Sequence, residues 1–169
     1  PATAVRPLAR FARPSEGFAQ VNPDFPTGGA ARSDRLFLTA QSPGYEIGGD
    51  ISRPLAGGAI KLVALANRRK RNNLDTAQQR DNGAVIGGFE QGSQSQRNET
   101  VARLNWTRAN LAGFAVETGA EVALTTLDYQ NQLYVLGPVG AKTRIHLPLD
   151  NDQRRHRRGD AYATTSRTL

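Results

Sequence analysis

Between Tyr45 and Asn67 the chain alternates. Tyr45, Ile47, Gly49, Ile51 and Leu55 share one parity, and Glu46, Gly48, Asp50 and Ser52 share the other. A period of two marks a strand with one apolar and one polar face. Pro54–Gly58 then supplies a fixed φ followed by the freedom for positive φ that a tight reversal needs. From Ala59 to Asn67 the apolar content restarts with Ile60, Leu62, Val63 and Leu65. The stretch predicts a β-hairpin.

The same period recurs along the chain. Asp34–Gln41 predicts a short strand, with Leu36, Leu38 and Ala40 on one parity, and Ser42-Pro43-Gly44 predicts a break. Glu99–Arg108 places Ala102, Leu104 and Trp106 on one side. Phe114 to about Leu127 is the clearest strand: Phe114, Val116, Ala120, Val122 and Leu124 face one way, and Glu117, Gly119, Glu121 and Thr125 the other. Across that hairpin Glu117 or Glu121 is placed to pair with Arg103. A last strand begins at Asp160. Five strands stand out clearly, and seven at most are expected. Residues 1–33, interrupted by Pro7, Pro14, Pro23 and Pro26, read as an irregular or loop segment with at most a short strand at Gly17–Val21. Two polar stretches, about 68–97 and about 128–157, read as long loops, since connections beyond roughly 12–15 residues are uncommon in compact soluble domains. Within the second, Gln132–Val135 and Thr143–Leu147 are β-prone enough to extend strands.

Three turn entries resemble one another: Ser52-Arg53-Pro54-Leu55-Ala56-Gly57, Thr107-Arg108-Ala109-Asn110-Leu111-Ala112-Gly113 and Ser166-Arg167-Thr168-Leu169. Each unit reads strand, short turn, strand, long polar loop. Propeller blades and solenoid coils need short connections at both ends. Short turns at one end and long loops at the other are the pattern of an outer-membrane barrel.

Composition narrows the classes. Hydrophobic residues make up 38% of the chain, and 17 Gly with 9 Pro make it turn-rich. No window is apolar enough for a transmembrane helix, which leaves open barrel strands of about ten residues with alternate positions polar. With no Cys there is no disulfide framework and no thiolate metal site. The chain starts at Pro1, has no Met and stops inside a strand-like pattern, so a mature piece or a fragment is expected. The net charge is +7, and its distribution matters more than its size. Arg68-Arg69-Lys70-Arg71 and Arg154-Arg155-His156-Arg157-Arg158 both fall at the loop end of their strands. There they would share one rim and meet the phosphates of an anionic outer leaflet. The alternative for the same residues is a solvated loop base with no specific partner.

The segments GYEIGGDISRPLAGGAIKLVALANRR, ETVARLNWTRANLAGFAVETGAEVALTTLD and RGDAYATTSRTL resemble the barrel region of TonB-dependent outer-membrane receptors, over roughly residues 40–169. The resemblance implies an all-β fold of antiparallel up-and-down strands, an incomplete slice of a large transmembrane β-barrel of about 22 strands. It implies a receptor/transporter of the cell outer membrane of Gram-negative bacteria, taking up a scarce ligand such as a metal chelate or a carbohydrate. No TonB-box-like segment, plug domain or terminal aromatic strand is recognisable, so the slice would be internal and the TonB complex would act through parts absent from this chain. The expected partners are outer-membrane lipid, lipopolysaccharide and a ligand the sequence does not identify. The residues expected at the extracellular rim, against anions or lipopolysaccharide, are Arg68, Arg69, Lys70, Arg71, Arg154, Arg155, Arg157 and Arg158. Those expected to face the lumen are Glu99, Arg103, Glu117 and Glu121.

No catalytic constellation emerges, and neither enzyme activity nor a cofactor or metal is expected. His146 and His156 are the only histidines, and neither lies in an HExxH or H-x-E context. There is no G-x-S-x-G elbow, and Gly57-Gly58 and Gly87-Gly88 lack the following G-K-[ST] of a phosphate loop. Trp106 and Tyr45 suit an interfacial belt or ordinary sheet packing. The rival to transport is a soluble basic all-β module on nucleic acid or another polyanion. Its few aromatics are not interleaved with the Arg clusters as base stacking requires, so nucleic acid is not expected.

Overall fold

The computed structural model describes residues 2–24, 31–148 and 150–167. It is a single antiparallel sheet of nine strands: β1 (Ala4–Ala12), β2 (Ser15–Asp24), β3 (Arg32–Gln41), β4 (Gly44–Leu55), β5 (Gly58–Asp81), β6 (Ala84–Leu111), β7 (Phe114–Leu136), β8 (Lys142–Ile145) and β9 (Asn151–Ser166). Consecutive staves run up and down, and the sheet is open, with β1/β2 at one edge and β8/β9 at the other. The fold is therefore all-β, up-and-down and unclosed, as a slice of a barrel wall would be.

Several of the nine strands are halves of longer staves. The register Ala12↔Gly44 continues as Ser15↔Gln41, and Gln41↔Asn72 continues as Gly44↔Arg69, with no residue gained or lost. The gaps fall at Pro14 and Pro43, which have no N–H to give the ladder. Their carbonyls still accept, from Ser42 N–H and Lys70 N–H, each at 2.9 Å. Thus β1/β2 and β3/β4 are each one proline-interrupted strand. The irregular segment expected over residues 1–33 is in fact strand from Ala4 to Asp24; an edge position tolerates its prolines. Pro26 and Gly28-Gly29 lie outside the described residues.

The two expected long loops are also corrected. β5 and β6 stay paired from Ala59↔Thr107 up to Asp81↔Ala84, with one irregularity between Gln79 and Arg80. They close on Asn82-Gly83, both at positive φ (48° and 81°), as a two-residue hairpin of that type requires. β7 runs on to Leu136, a short turn at Pro138–Gly140 follows, and the chain returns through β8 and β9. The period-two signal vanishes in these stretches because both faces are polar, not because the strands end. Ala56-Gly57 and Ala112-Gly113 make the turns at the opposite end with the same positive φ (51°, 73° and 53°, 86°). The first two repeat entries are thus structurally equivalent; Thr168 and Leu169 of the third lie outside the described residues. Pro54, expected in a turn, pairs with Ala59 as a strand residue.

The asymmetry read as turns against loops is one of strand length. β5 has 24 residues and β6 has 28, or roughly 80 Å and more of extended chain. A tilted membrane-spanning strand needs only about 9–11 residues.

Candidate functional site

In register, side chains opposite each other share a face. One face of the lower half carries Val5 and Phe11 of β1, Ile47 and Ile51 of β4, Leu62 of β5, Leu104 and Trp106 of β6, and Val122 and Leu124 of β7. These side chains are not covered. Leu62 is 43% exposed and Val122 56%. The buried hydrophobic residues among those described are Ala123 and Leu136 alone, and no side chain is fully enclosed. One layer of sheet has no second layer to make a core. The apolar face therefore needs another apolar phase against it.

The height of this band is defined. On β5 it runs from Gly58 at the turn to Ala66, and Arg68 follows on the same face. On β7 it runs from Phe114 to Leu124, with Thr126 above. That is about the length a tilted strand needs to cross hydrocarbon. The upper edge runs obliquely, from the Phe11–Tyr45 level on β1 and β4 down to Val122↔Gly159 on β9, where Arg157 stands opposite Leu124. Strands tilted against a level band give such a stagger. Aromatic rings mark both edges. Phe11 and Tyr45 lie 6.5 Å apart at the top. Trp106 lies at the bottom, where its indole N–H donates to the Leu55 carbonyl of the turn at 3.0 Å, and Arg167 lies 5.9 Å from the centroid of the Phe114 ring.

The opposite face is charged and internally paired. Glu99, Arg103, Glu117 and Glu121 all lie on it. Arg103, directly opposite Glu121, donates from Nε at 2.7 Å and also from its terminal nitrogen. Arg158 of β9 meets the other oxygen of Glu121 and lies 2.8 Å from Asp160. Glu117 accepts from the Tyr162 hydroxyl at 3.2 Å. The Tyr162 ring packs over Gly119, where an added Cβ would lie 2.8 Å from that hydroxyl oxygen and 2.9 Å from Asn105 Oδ1. Lys61 reaches Asp50 at 3.5 Å. Cross-strand opposite charges compensate one another here.

The rim arginines do not form one patch. They alternate between faces because they sit on strands. Arg68, Lys70, Arg155 and Arg157 fall on the apolar-band face, Arg68 and Arg155 at one level through Asn98 and Thr126. Arg69, Arg71, Arg154 and Arg158 fall on the charged face. Arg158 is bound to Glu121 on the charged face. β5 and β9 are also separated by β6 and β7. Above the band both faces turn to amides and hydroxyls: Asn72, Asn73, Gln91, Gln94, Gln130 and Gln132 among them. Sequence reasoning overlooked the Arg158–Glu121 contact, and Tyr162 altogether. Their spacing from Asp160, every second residue, was the available signal.

Compared with known proteins, the chain matches no family model and no curated protein sequence.

Proposed function

We propose that this chain is part of the wall of an outer-membrane receptor barrel of the TonB-dependent kind, which admits a scarce ligand such as a metal chelate or a carbohydrate. The observation that carries the reading is the band of uncovered apolar side chains, one bilayer high, backed by a charged face. Lipid would cover the band, and the charged face would line the lumen. The polar upper halves of β5, β6 and β7 would stand in water outside the cell. Capture would fall to those extensions, and passage to a plug pulled by TonB. Arg68, Lys70, Arg155 and Arg157 would meet lipopolysaccharide phosphates at the outer rim.

The test uses the absence of Cys. Single cysteines at Ile51, Leu62 and Leu104, and at Asp50, Lys61 and Arg103, are labelled with an environment-sensitive fluorophore in the full-length protein in lipid vesicles. Period-two blue-shifted emission, quenched by a lipid-borne quencher at the first set only, supports the reading. Water-like emission at both sets removes it. So would a monomeric, soluble and cooperatively melting form of these 169 residues alone, since nothing would then cover the apolar face or the sheet edges.

A further inference from the structure

On the charged face, just above the level of the apolar band, one place breaks the pattern of compensation. Arg69 of β5 and Arg97 of β6 stand directly opposite each other in the ladder. Like charges in that relation are destabilising. Arg71 follows two residues along β5 on the same face, and Arg10 stands on β1 one level below. On the same face Arg103 meets Glu121, Lys61 meets Asp50 and Arg154 meets Asp152. Here the opposing charge is Glu46 and Glu99. Of these, Glu99 lies 3.4 Å from Arg97, and among the described residues Arg69 has no carboxylate at ion-pair distance. The four guanidiniums border an open groove of about 640 Å³, which Glu46, directly opposite Arg10, and Glu99 also line. Its floor is made of small residues, Ala12, Ser42 and Gly44. A Cβ on Gly44 would lie 2.8 Å from the Arg68 carbonyl oxygen, so the floor stays at backbone level.

We infer that this groove binds a small multivalent oxyanion, a di- or tricarboxylate or a phosphate ester, with Arg69 and Arg97 gripping it from adjacent strands and Arg71 and Arg10 closing its sides. Guanidinium forks match carboxylate and phosphate oxygens in pairs, and the two side chains spring from adjacent strands about 5 Å apart. The ligand supplies the negative charge that Arg69 lacks, since Glu99 reaches Arg97 alone. The inference rests on reading this face as a lumen wall, and it names the charge class of the ligand that reading leaves open.

The test is calorimetric titration of the full-length protein in detergent micelles with citrate and with inorganic pyrophosphate, at low and at high salt. Binding of either probe that weakens with salt, and at least tenfold in the double variant Arg69→Gln/Arg97→Gln, supports the groove. Arg97→Glu separates lost binding from lost folding: it places a carboxylate opposite Arg69, so it abolishes binding while urea resistance is kept or raised. Folded wild-type protein that binds neither probe, or a double variant that binds as well as wild type, overturns the inference. The two readings fail separately. Fluorophores at Ile51 and Leu62 in water, with arginine-dependent binding intact, would sink the membrane wall and leave the groove; labels in lipid with no binding would do the reverse.

Discussion

Two leucines on one strand make a matched pair. Leu62 and Leu65 lie three residues apart on β5, so they point to opposite faces. Leu62 faces Ile51 and Leu104 in the apolar band, and Leu65 faces Gly48 and Val101 on the charged side. The band on β5 is bounded by Gly58 and Arg68, which puts Leu62 within about one residue of its middle. If hydrocarbon covers the band, Leu62→Arg places a charge near the bilayer centre and costs about 2–4 kcal/mol, a factor of roughly 30 to 1000 in the folded population. Leu65→Arg lands diagonal to Glu46, Asp50 and Glu99, each able to return roughly 0.2–1 kcal/mol, and also to Arg103, whose charge Glu121 already meets, so its net cost stays near or below about 1 kcal/mol. Ile60→Arg, on the same face as Leu62 but level with Trp106 at the band's edge, costs only about 0–1 kcal/mol. The assay is urea unfolding of the full-length protein in lipid vesicles, compared at constant m-value. The ordering Leu62 > Ile60, with Leu65 low, is the expected result. Equal costs at Leu62 and Leu65, or a neutral Leu62→Arg, would refute the reasoning, because water on both faces makes no such distinction.

Other outcomes follow from single contacts. Gly83→Ala, at φ +81° with open space for its Cβ, pays only for the left-handed backbone, about 1–2 kcal/mol, read as a lower urea midpoint. By the same reasoning Ala56→Asn and Ala112→Asn, at φ 51° and 53°, should raise that midpoint, since Asn tolerates the conformation better. Gly48→Val drives a Cβ into the Ala64 carbonyl oxygen. It should part β4 from β5 and cut the yield of folded protein on refolding into lipid, whereas Gly92→Ala, with nothing near its Cβ, should fold normally. Trp106→Phe removes the indole donor to Leu55 at 3.0 Å and should cost about 1 kcal/mol in the same urea titration.

The match between sequence and structure is uneven, for physical reasons. Strands with one apolar and one polar face announced themselves: β4, the lower half of β5, the lower half of β6, and β7 up to Leu127. Strands wet on both faces gave no period. The upper halves of β5 and β6 read as a loop although Asn82-Gly83, the usual signal of a two-residue hairpin, sat between them. The prolines of β1/β2 suggested an irregular or loop segment, yet an edge strand spends half its backbone groups on solvent and loses little to a missing N–H. The placement of Glu99, Arg103, Glu117 and Glu121 on one face followed from parity alone. The division of the arginine clusters between faces would have followed from the same parity, had those stretches been read as strand.

What the sequence determined by itself was local: which residues alternate, which dipeptides turn, and that Leu55-Ala56-Gly57 and Leu111-Ala112-Gly113 play one role twice. Parity and turn chemistry act over a few residues and are written in the chain. What only the tertiary structure decided was who stands opposite whom. Arg69 against Arg97, Arg103 and Arg158 together on Glu121, and an apolar band whose edge descends from Tyr45 to Gly159 all depend on inter-strand register. Register is set by hydrogen bonds between residues tens of positions apart, and no local pattern encodes it.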